Sequence, residues 1–159
     1  MNKHLLVSVI ITTKNEAKVI GRLIKSIKEQ TYRSYEIILI DNKSEDRTVE
    51  VSKKMGVKVF IFGPERSAQR NFGAKNANGE YVIFLDADME LTPDVLKSCV
   101  EICRRDKKIG GVVIPEESRA HTFWGRVKAF ERSLYNESGD EITDAARFFK
   151  KDVFHKVGG

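Results

Sequence analysis

The chain alternates short apolar runs with helical patterns in a regular order, and this alternation limits its fold more than any other feature of the sequence. Apolar runs of this kind, rich in β-branched residues, are typical of strands that are buried on both faces of a parallel sheet. The segments between them have the spacing of amphipathic helices. The sequence therefore predicts an α/β fold, in which a mostly parallel sheet carries helices on both faces. The apolar runs are LLVSVIIT, YEIILID, VKVFIF, YVIFLDAD and GGVVIP.

Length and composition favour one ordinary domain and a short set of functions. A chain of 159 residues with 41% hydrophobic content can bury a single core. The net charge of +5 is spread along the chain and favours anionic partners such as phosphates or a membrane surface. Nucleic acid is not favoured as a partner, because there is no zinc-binding spacing, aromatic RNA-binding motif or long basic arm. Cys99 and Cys103 share one helical face and are interpreted as core thiols, which suit a reducing, cytoplasmic location.

Polar residues follow each of the first four apolar runs. In an open parallel sheet, ligands bind beyond the carboxyl ends of the strands, so these residues are the candidates for a site. A purely structural sheet would not need acids at two of its central strand ends. The candidates, run by run, are Thr12, Thr13, Asn15 and Glu16; Asp41 and Asn42; Glu65, Arg66, Gln69 and Arg70; and Asp86 and Asp88.

The pair Asp86 and Asp88 is the most informative of these groups. If the strand alternation continues through both residues, their carboxylates point to the same side. At about 5 Å they would repel each other by roughly 3 kcal/mol at an effective dielectric constant of about 20. Either one carboxylate binds a proton or both meet a cation, and Mg²⁺ or Mn²⁺ fits oxygen ligands without nearby His or Cys. The alternative is that both acids are solvated loop residues.

Three segments, covering residues 7–51, 66–96 and 145–159, resemble the inverting family 2 glycosyltransferases of the GT-A fold, in register and in order. Individually these motifs are short, but together they are specific. The resemblance implies a Rossmann-like GT-A fold. It also implies transfer of a sugar from a nucleoside diphosphate donor to an acceptor, with inversion and with the help of Mg²⁺ or Mn²⁺.

The resemblance covers the whole chain and implies one GT-A domain over residues 1–159. Residues 1–115 would form the nucleotide-sugar-binding half, and residues 116–159 the start of an incomplete acceptor-side half. We expect the chain to be a piece of a longer protein whose general base follows Gly159, so the catalytic base is not identified.

The resemblance also implies roles for individual residues. Asp41 matches the acid that reads the base, Asp86 the acid nearest the ribose, and Asp88 the metal ligand that bridges the diphosphate. Thr12 stands where the family usually has a proline. From the residues alone, Arg70 is equally well interpreted as an exposed helix arginine. Asp144 and Arg147, on the acceptor side, are equally well interpreted as a loop acid and a surface charge. The implied nucleotide-binding residues are Thr12, Asn15, Glu16, Asp41, Arg70 and Asp86, and those on the sugar and acceptor side are Asp144 and Arg147.

Several alternatives remain open. The donor is a UDP-sugar by default and a GDP-sugar as the alternative, and the acceptor is a glycan hydroxyl or a lipid-linked phosphate. A non-catalytic sugar-nucleotide-binding module is a rival. An Asp-x-Asp phosphohydrolase is a less favoured rival. In that class of enzyme the acidic pair follows the first strand of the catalytic domain, whereas in this chain it follows the fourth. The helical pattern over residues 121–135, with Trp124, predicts a core-packed helix, with peripheral contact at the cytoplasmic face of a membrane as the alternative.

Overall fold

The order of the strands and helices matches the predicted alternation. The computed structural model describes residues 5–115 and 146–159. The strands are β1 (Val7–Thr13), β2 (Tyr35–Asp41), β3 (Lys58–Ile61), β4 (Tyr81–Asp86), β5 (Gly111–Val112) and β6 (Phe148–Lys150). The helices are α1 (Ile20–Lys28), α2 (Thr48–Lys54), α3 (Arg66–Lys75), α4 (Val95–Arg105) and α5 (Lys151–Lys156). The predicted α/β class is confirmed.

The sheet has six strands in the order β3-β2-β1-β4-β6-β5. Strand β1 pairs in parallel with β2 on one side and with β4 on the other, and β3 pairs in parallel with β2. The strand order therefore reverses between β1 and β4. In open α/β sheets, ligands bind outside the carboxyl ends of the strands at such a switch point.

The last two strands depart from the predicted pattern. The apolar run over residues 110–115 forms a strand of only two residues. This strand does not pair with β4, because β6 lies between them and is antiparallel to both. The sheet is therefore mostly parallel with one antiparallel strand, which brings the end of the chain next to β4.

Helices cover both faces of the sheet, as predicted. On one face, the fully buried Leu23 of α1 and Leu96 of α4 belong to a cluster of buried side chains. On the other face, Ala74 of α3 and Phe154 of α5 pack with Ile10 of β1. Burying an aliphatic or aromatic side chain contributes roughly 1.5–3 kcal/mol, so the two clusters hold the layers together.

Helix α3 lies unusually close to the sheet. A Cβ atom on Gly73 would lie 2.5 Å from Cγ2 of Ile10 and 3.3 Å from Cγ1 of Ile40. Near the start of α3, the buried Gln69 side chain donates from Nε2 to the carbonyl oxygens of Ile40 at 2.7 Å and Thr13 at 3.3 Å. These contacts fix the first turns of α3 over the carboxyl ends of β1 and β2.

The helix predicted over residues 121–135, with Trp124, lies outside the described residues. Its packing on the core or on a membrane therefore stays a prediction. Among the helices that the structure describes, none is both long enough and apolar enough to cross a bilayer.

Candidate functional site

The carboxyl ends of β1, β2 and β4 bring the predicted site residues to one edge of the sheet. In the parallel register, Thr12 lies opposite Asp86 of β4, and Thr13 lies opposite Asp41 of β2. Because side chains alternate along a strand, Thr12 and Asp86 project from the face that carries α3, and Thr13 and Asp41 project from the other face. The edge therefore has two sides with different chemistry.

Asp41 is fully buried and accepts three hydrogen bonds. Its Oδ1 accepts from the Thr13 hydroxyl at 3.0 Å and from the Ser44 hydroxyl at 2.5 Å, and its Oδ2 accepts from the Ser44 backbone N–H at 2.7 Å. This carboxylate ties the loop after β2 to the end of β1. Its implied role as the reader of a nucleotide base stays a prediction, and that role requires this enclosed network to open.

The loops after β1 and β2 are hydrogen-bonded to each other. The Asn15 backbone N–H donates to the Ser44 hydroxyl at 2.7 Å, and the Asn15 side-chain oxygen accepts from the Glu45 N–H at 2.8 Å. The Glu16 N–H donates to the Thr48 hydroxyl at 2.8 Å. Asn15 has a φ of 57°, a left-handed conformation that asparagine adopts more readily than most residues. The first loop is thus held in a defined shape beside the strand ends.

Three arginines contact Asp86 at the end of β4. Its Oδ1 lies 3.2 Å from the Arg70 guanidinium and 3.8 Å from the Arg66 guanidinium, and its Oδ2 lies 3.4 Å from the Arg147 guanidinium. The Asp86 side chain is 19% exposed, so these ion pairs are partly shielded from water. Arg70 and Arg147 are therefore brought to the predicted site, and Arg66 joins them although the resemblance assigns it no role. Arg66 and Arg70 are four residues apart on α3, and this helical spacing was the available signal.

The expected electrostatic conflict between Asp86 and Asp88 takes a different form in the structure. Strand β4 ends at Asp86, and the chain then turns, with the Met89 N–H donating to the Asp86 carbonyl at 3.1 Å. Because β4 stops at Asp86, the strand alternation on which the expected same-side placement depends does not reach Asp88. Guanidinium groups meet the charge of Asp86, whereas Asp88 is exposed.

Asp88 and the first loop influence each other electrostatically. The pKa of Glu16 is raised, first by burial and then by the negative charge of Asp88, while Arg66 acts in the opposite direction. The described part of the chain contains no cluster of three or more His, Cys, Asp or Glu side chains arranged to hold a metal ion. An exposed carboxylate next to a second acid nevertheless fits Mg²⁺ or Mn²⁺, because these ions take few protein ligands and complete their shells with water and substrate phosphates.

Thr12 carries a buried hydroxyl group at this edge. Thr12 is 6% exposed, and its Oγ1 has no hydrogen-bond partner among the described residues. Thr12 stands where the family that the chain resembles usually has a proline. The structure adds that the replacement brings a polar atom into a buried place beside Asp86.

The remaining predicted site residue, Asp144, lies outside the described residues, so its role is still a prediction. Asn42, which follows Asp41, is a second candidate that the resemblance did not assign. It is half-buried, and its side-chain amide donates to the Pro64 carbonyl at 2.8 Å.

Comparison with known proteins identifies the family. The sequence model described as Glycosyl transferase family 2 matches residues 8–158. The chain therefore belongs to glycosyl transferase family 2, and its fold is that of the GT-A glycosyltransferases, as the resemblance implied.

One curated relative is a dolichyl N-acetyl-alpha-D-glucosaminyl phosphate 3-beta-D-2,3-diacetamido-2,3-dideoxy-beta-D-glucuronosyltransferase from Methanococcus voltae. It is 34% identical over 124 residues, which cover 67% of this chain and 39% of the relative. The chain spans between 24% and 40% of the length of four curated relatives that it matches.

Two solved structures show the same fold. The mannosyltransferase PcManGT from Pyrobaculum calidifontis, in complex with GDP-Man and Mn²⁺, superposes with a TM-score of 0.78 at 22% identity, over 99% of this chain and 48% of that chain. Residues 1–349 of S. aureus TarS, in complex with UDP, superpose with a TM-score of 0.61 at 25% identity, over 72% of this chain and 39% of that chain.

Proposed function

We propose that the whole protein transfers a sugar from a nucleoside diphosphate sugar to an acceptor with inversion, and that the described residues build its donor site. The observation that carries this proposal is the edge at the switch point, where Asp86 gathers three arginines and Asp88 is exposed next to it. Membership of the glycosyltransferase family supplies the reaction class.

The nucleotide lies across the ends of β1, β2 and β4 in this proposal. The first loop, with Thr12, Asn15 and Glu16, contacts the nucleotide, and Asp41 reads the base. On the α3 side, Asp86 approaches the ribose. Arg70 donates to the phosphates, because a guanidinium presents several N–H groups to phosphate oxygens. A UDP-sugar is the favoured donor, since the TarS neighbour binds UDP, and a GDP-sugar is the alternative.

Asp88 would hold Mg²⁺ or Mn²⁺ against the diphosphate. When bound, such an ion stabilises the negative charge that develops on the departing diphosphate. Asp86 acts differently, because its ion pairs orient Arg70 and Arg147 before substrate arrives. Such preorganised charge stabilises a transition state without rearrangement during the reaction.

The acceptor lies on the side of Arg147 and Asp144 in this proposal. Arg147 faces a phosphate and Asp144 holds a sugar hydroxyl. A hydroxyl acceptor needs a general base to remove its proton, whereas a phosphate acceptor needs none. The acceptor is a glycan or a lipid-linked phosphate, and a cytoplasmic location with peripheral membrane contact completes the proposal.

The donor site can be tested by titration calorimetry with UDP and with GDP, each in the presence of Mn²⁺ and in the presence of EDTA. We expect the nucleotide that fits to bind more tightly with Mn²⁺, and Asp88→Ala to abolish this difference. Glu101→Ala is the matched control, because Glu101 is an exposed acid on α4, away from the strand ends.

Equal affinity with Mn²⁺ and with EDTA in the unaltered protein would contradict the metal role of Asp88. Absence of binding of both nucleotides would contradict the donor site itself. Nucleotide binding without sugar transfer by the full-length protein would instead support the non-catalytic sugar-nucleotide-binding module.

A further inference from the structure

Strand β3 forms one edge of the six-stranded sheet. Among the described strands, β3 pairs with β2 alone. An edge strand presents N–H and C=O groups that can pair with another chain. Natural proteins often guard such edges with a proline, a bulge or a charged side chain, so the residues of β3 decide whether this edge is open.

The backbone of β3 shows which of its residues face outward. The Phe62 N–H donates to the Asp41 carbonyl of β2 at 2.9 Å, so Phe62 and Phe60, two residues earlier, direct their backbone groups toward β2. Because successive residues of a strand alternate, the N–H and C=O groups of Val59 and Ile61 point away from the sheet. The edge therefore offers both donors and acceptors to a partner strand.

Two large apolar side chains are exposed at the same edge. Ile61 is 55% exposed, and Phe62 is 37% exposed. Phe62 stacks on Phe72 of α3 with 4.3 Å between the ring centroids, so this exposed ring is held in a fixed position. Exposed apolar side chains next to outward-facing backbone groups are typical of a surface that pairs with another strand.

The charged residue of β3 does not close the edge. Lys58 is exposed, and lysine is a common guard of edge strands. Its Nζ, however, lies 5.0 Å from the centroid of the Phe60 ring on the same strand, so the charge is held against an aromatic face. Pro64 comes after the strand and leaves the N–H groups of Val59 and Ile61 in place.

The outward-facing groups suit a second copy of the same strand. If two copies of β3 run antiparallel about a twofold axis through Phe60, Val59 of each copy lies opposite Ile61 of the other. Both residues face outward, so each of these pairs can exchange both of its hydrogen bonds. The exposed Ile61 then packs against Val59 of the other copy. On the opposite face Lys58 lies across from Phe62 of the other copy, so no two like charges oppose each other.

We propose that β3 pairs with β3 of a second copy of this chain and joins the two sheets into one. The inference does not depend on the proposed glycosyltransferase function. The carboxyl ends of the parallel strands of the two copies point in opposite directions, so neither donor site is covered. A strand of four residues makes a small interface, and interfaces below about 1,200 Å² belong to weak, reversible complexes. We therefore expect a dissociation constant in the micromolar range.

Sedimentation velocity of the full chain, from about 1 µM to about 200 µM, measures the dimer, because a micromolar dissociation constant changes its population over this range. Ile61→Lys should weaken dimerisation at least about tenfold, because it replaces a buried apolar contact with a charge. Ile102→Lys is the matched control and should dimerise as the unaltered chain does. Ile102 is also an exposed isoleucine, but it lies on α4, away from β3.

A proline substitution tests the backbone pairing separately from the side chain. The Ile61 N–H points away from β2, so Ile61→Pro removes a donor from the open edge and keeps the bonds between β2 and β3. Dimerisation should again weaken at least about tenfold, because each copy loses a hydrogen bond and an apolar contact. The circular dichroism spectrum should be unchanged.

Disulfide cross-linking tests the register. Phe60 of the two copies would form a non-hydrogen-bonded pair with Cα atoms about 4.5 Å apart, which is within the range of a disulfide. Phe60→Cys should therefore cross-link two copies under mild oxidation. Ile61→Cys should cross-link more slowly, because Ile61 lies opposite Val59 and not opposite itself. The native Cys99 and Cys103 are buried and do not compete.

The proposal is overturned if the unaltered chain is monomeric over the whole concentration range, a result that would leave the edge to a strand of a different protein. Equal dimerisation of Ile61→Lys and Ile102→Lys would place the interface elsewhere and overturn it too. The same holds if folded Ile61→Pro dimerises as strongly as the unaltered chain. Cross-linking of Ile61→Cys at least as fast as that of Phe60→Cys would refute the twofold pairing about Phe60.

Discussion

Replacing Thr12 with valine should stabilise the protein, although the substitution removes a hydroxyl group. Thr12 is buried at the end of β1, and its Oγ1 has no hydrogen-bond partner among the described residues. A buried polar group that makes no hydrogen bond loses its contact with water and gains nothing in return. Valine has nearly the same shape and the same β-branching, so it suits the strand without a change of backbone.

The size of the effect follows from two contributions. An unsatisfied buried hydroxyl costs about 1–3 kcal/mol, and an added buried methyl group contributes up to about 0.8 kcal/mol. We allow for imperfect packing of the new methyl group and expect Thr12→Val to raise the free energy of unfolding by about 1–2 kcal/mol. In a chain of this size each kcal/mol corresponds to about 2–4 °C in Tm.

Thr13 provides the matched control because it is the next residue, is equally buried and has the same side chain. Its hydroxyl donates to the Asp41 carboxylate at 3.0 Å. A hydrogen bond to a charged group contributes about 1.5–3 kcal/mol, so Thr13→Val should destabilise the protein by about that amount. The two substitutions are chemically identical and should therefore have opposite signs.

Urea denaturation followed by circular dichroism measures both free energies of unfolding. If Thr12→Val destabilises the protein as Thr13→Val does, the Thr12 hydroxyl has a partner in solution, such as a buried water molecule, and the reasoning is refuted. Nucleotide affinity of Thr12→Val, measured on the same samples, shows separately whether the hydroxyl contributes to the donor site.

Three further predictions concern other parts of the fold. Burial raises the pKa of Cys99 to about 12 and also raises that of Cys103, so neither thiol should react with Ellman's reagent at pH 8 until the protein is unfolded. Rapid reaction in the native state would contradict their place in the core. The pKa of Glu16 is raised in the folded state, so ionisation of Glu16 reduces stability as the pH rises above the ordinary glutamate value of 4.5. Glu16→Gln should therefore be more stable than the unaltered protein at pH 7 and equally stable at pH 3. The prediction is refuted if urea denaturation gives the same difference in free energy of unfolding between the two proteins at both pH values. Gly73→Ala should destabilise the protein by about 1–3 kcal/mol because its Cβ would meet Ile10. In contrast, Gly21→Ala on α1 should stabilise it by up to about 1 kcal/mol, because its Cβ would make only an ordinary contact with Sδ of Met55 at 4.0 Å. Equal Tm values for these two glycine variants would contradict the close approach of α3.

The first four strands and their helices could be predicted from the sequence because each uses a local pattern. Strands β1 and β4 are near-continuous apolar runs, as strands with two covered faces must be. Strand β6 has no such pattern. It is only three residues long and becomes a strand by pairing with β4, which lies far earlier in the chain. Local periodicity contains no information about such a pairing.

The positions of the candidate site residues could be predicted in part, but their partners could not. Strand ends are places where polar side chains collect, so Asp41 and Asp86 were identifiable from the residues that precede them. The network around Asp41 depends on Thr13 and Ser44, which meet only when β1 and β2 are in register. The sequence alone could not show that this carboxylate is enclosed.

The ion pairs of Asp86 change the interpretation of the Asp-x-Asp spacing. From the sequence, two like charges close together predict a bound proton or a metal ion, and only the family resemblance separates the two acids, with Asp86 nearest the ribose and Asp88 as the metal ligand. In the structure, β4 ends at Asp86, and within residues 5–115 and 146–159 guanidinium groups from α3 and from the segment before β6 contact Asp86. The two acids are therefore suited to different tasks. Asp86 holds arginines from distant parts of the chain at the switch point, whereas Asp88 is exposed and its charge contributes to the raised pKa of Glu16, so we propose Asp88 rather than Asp86 as the ligand of a cation.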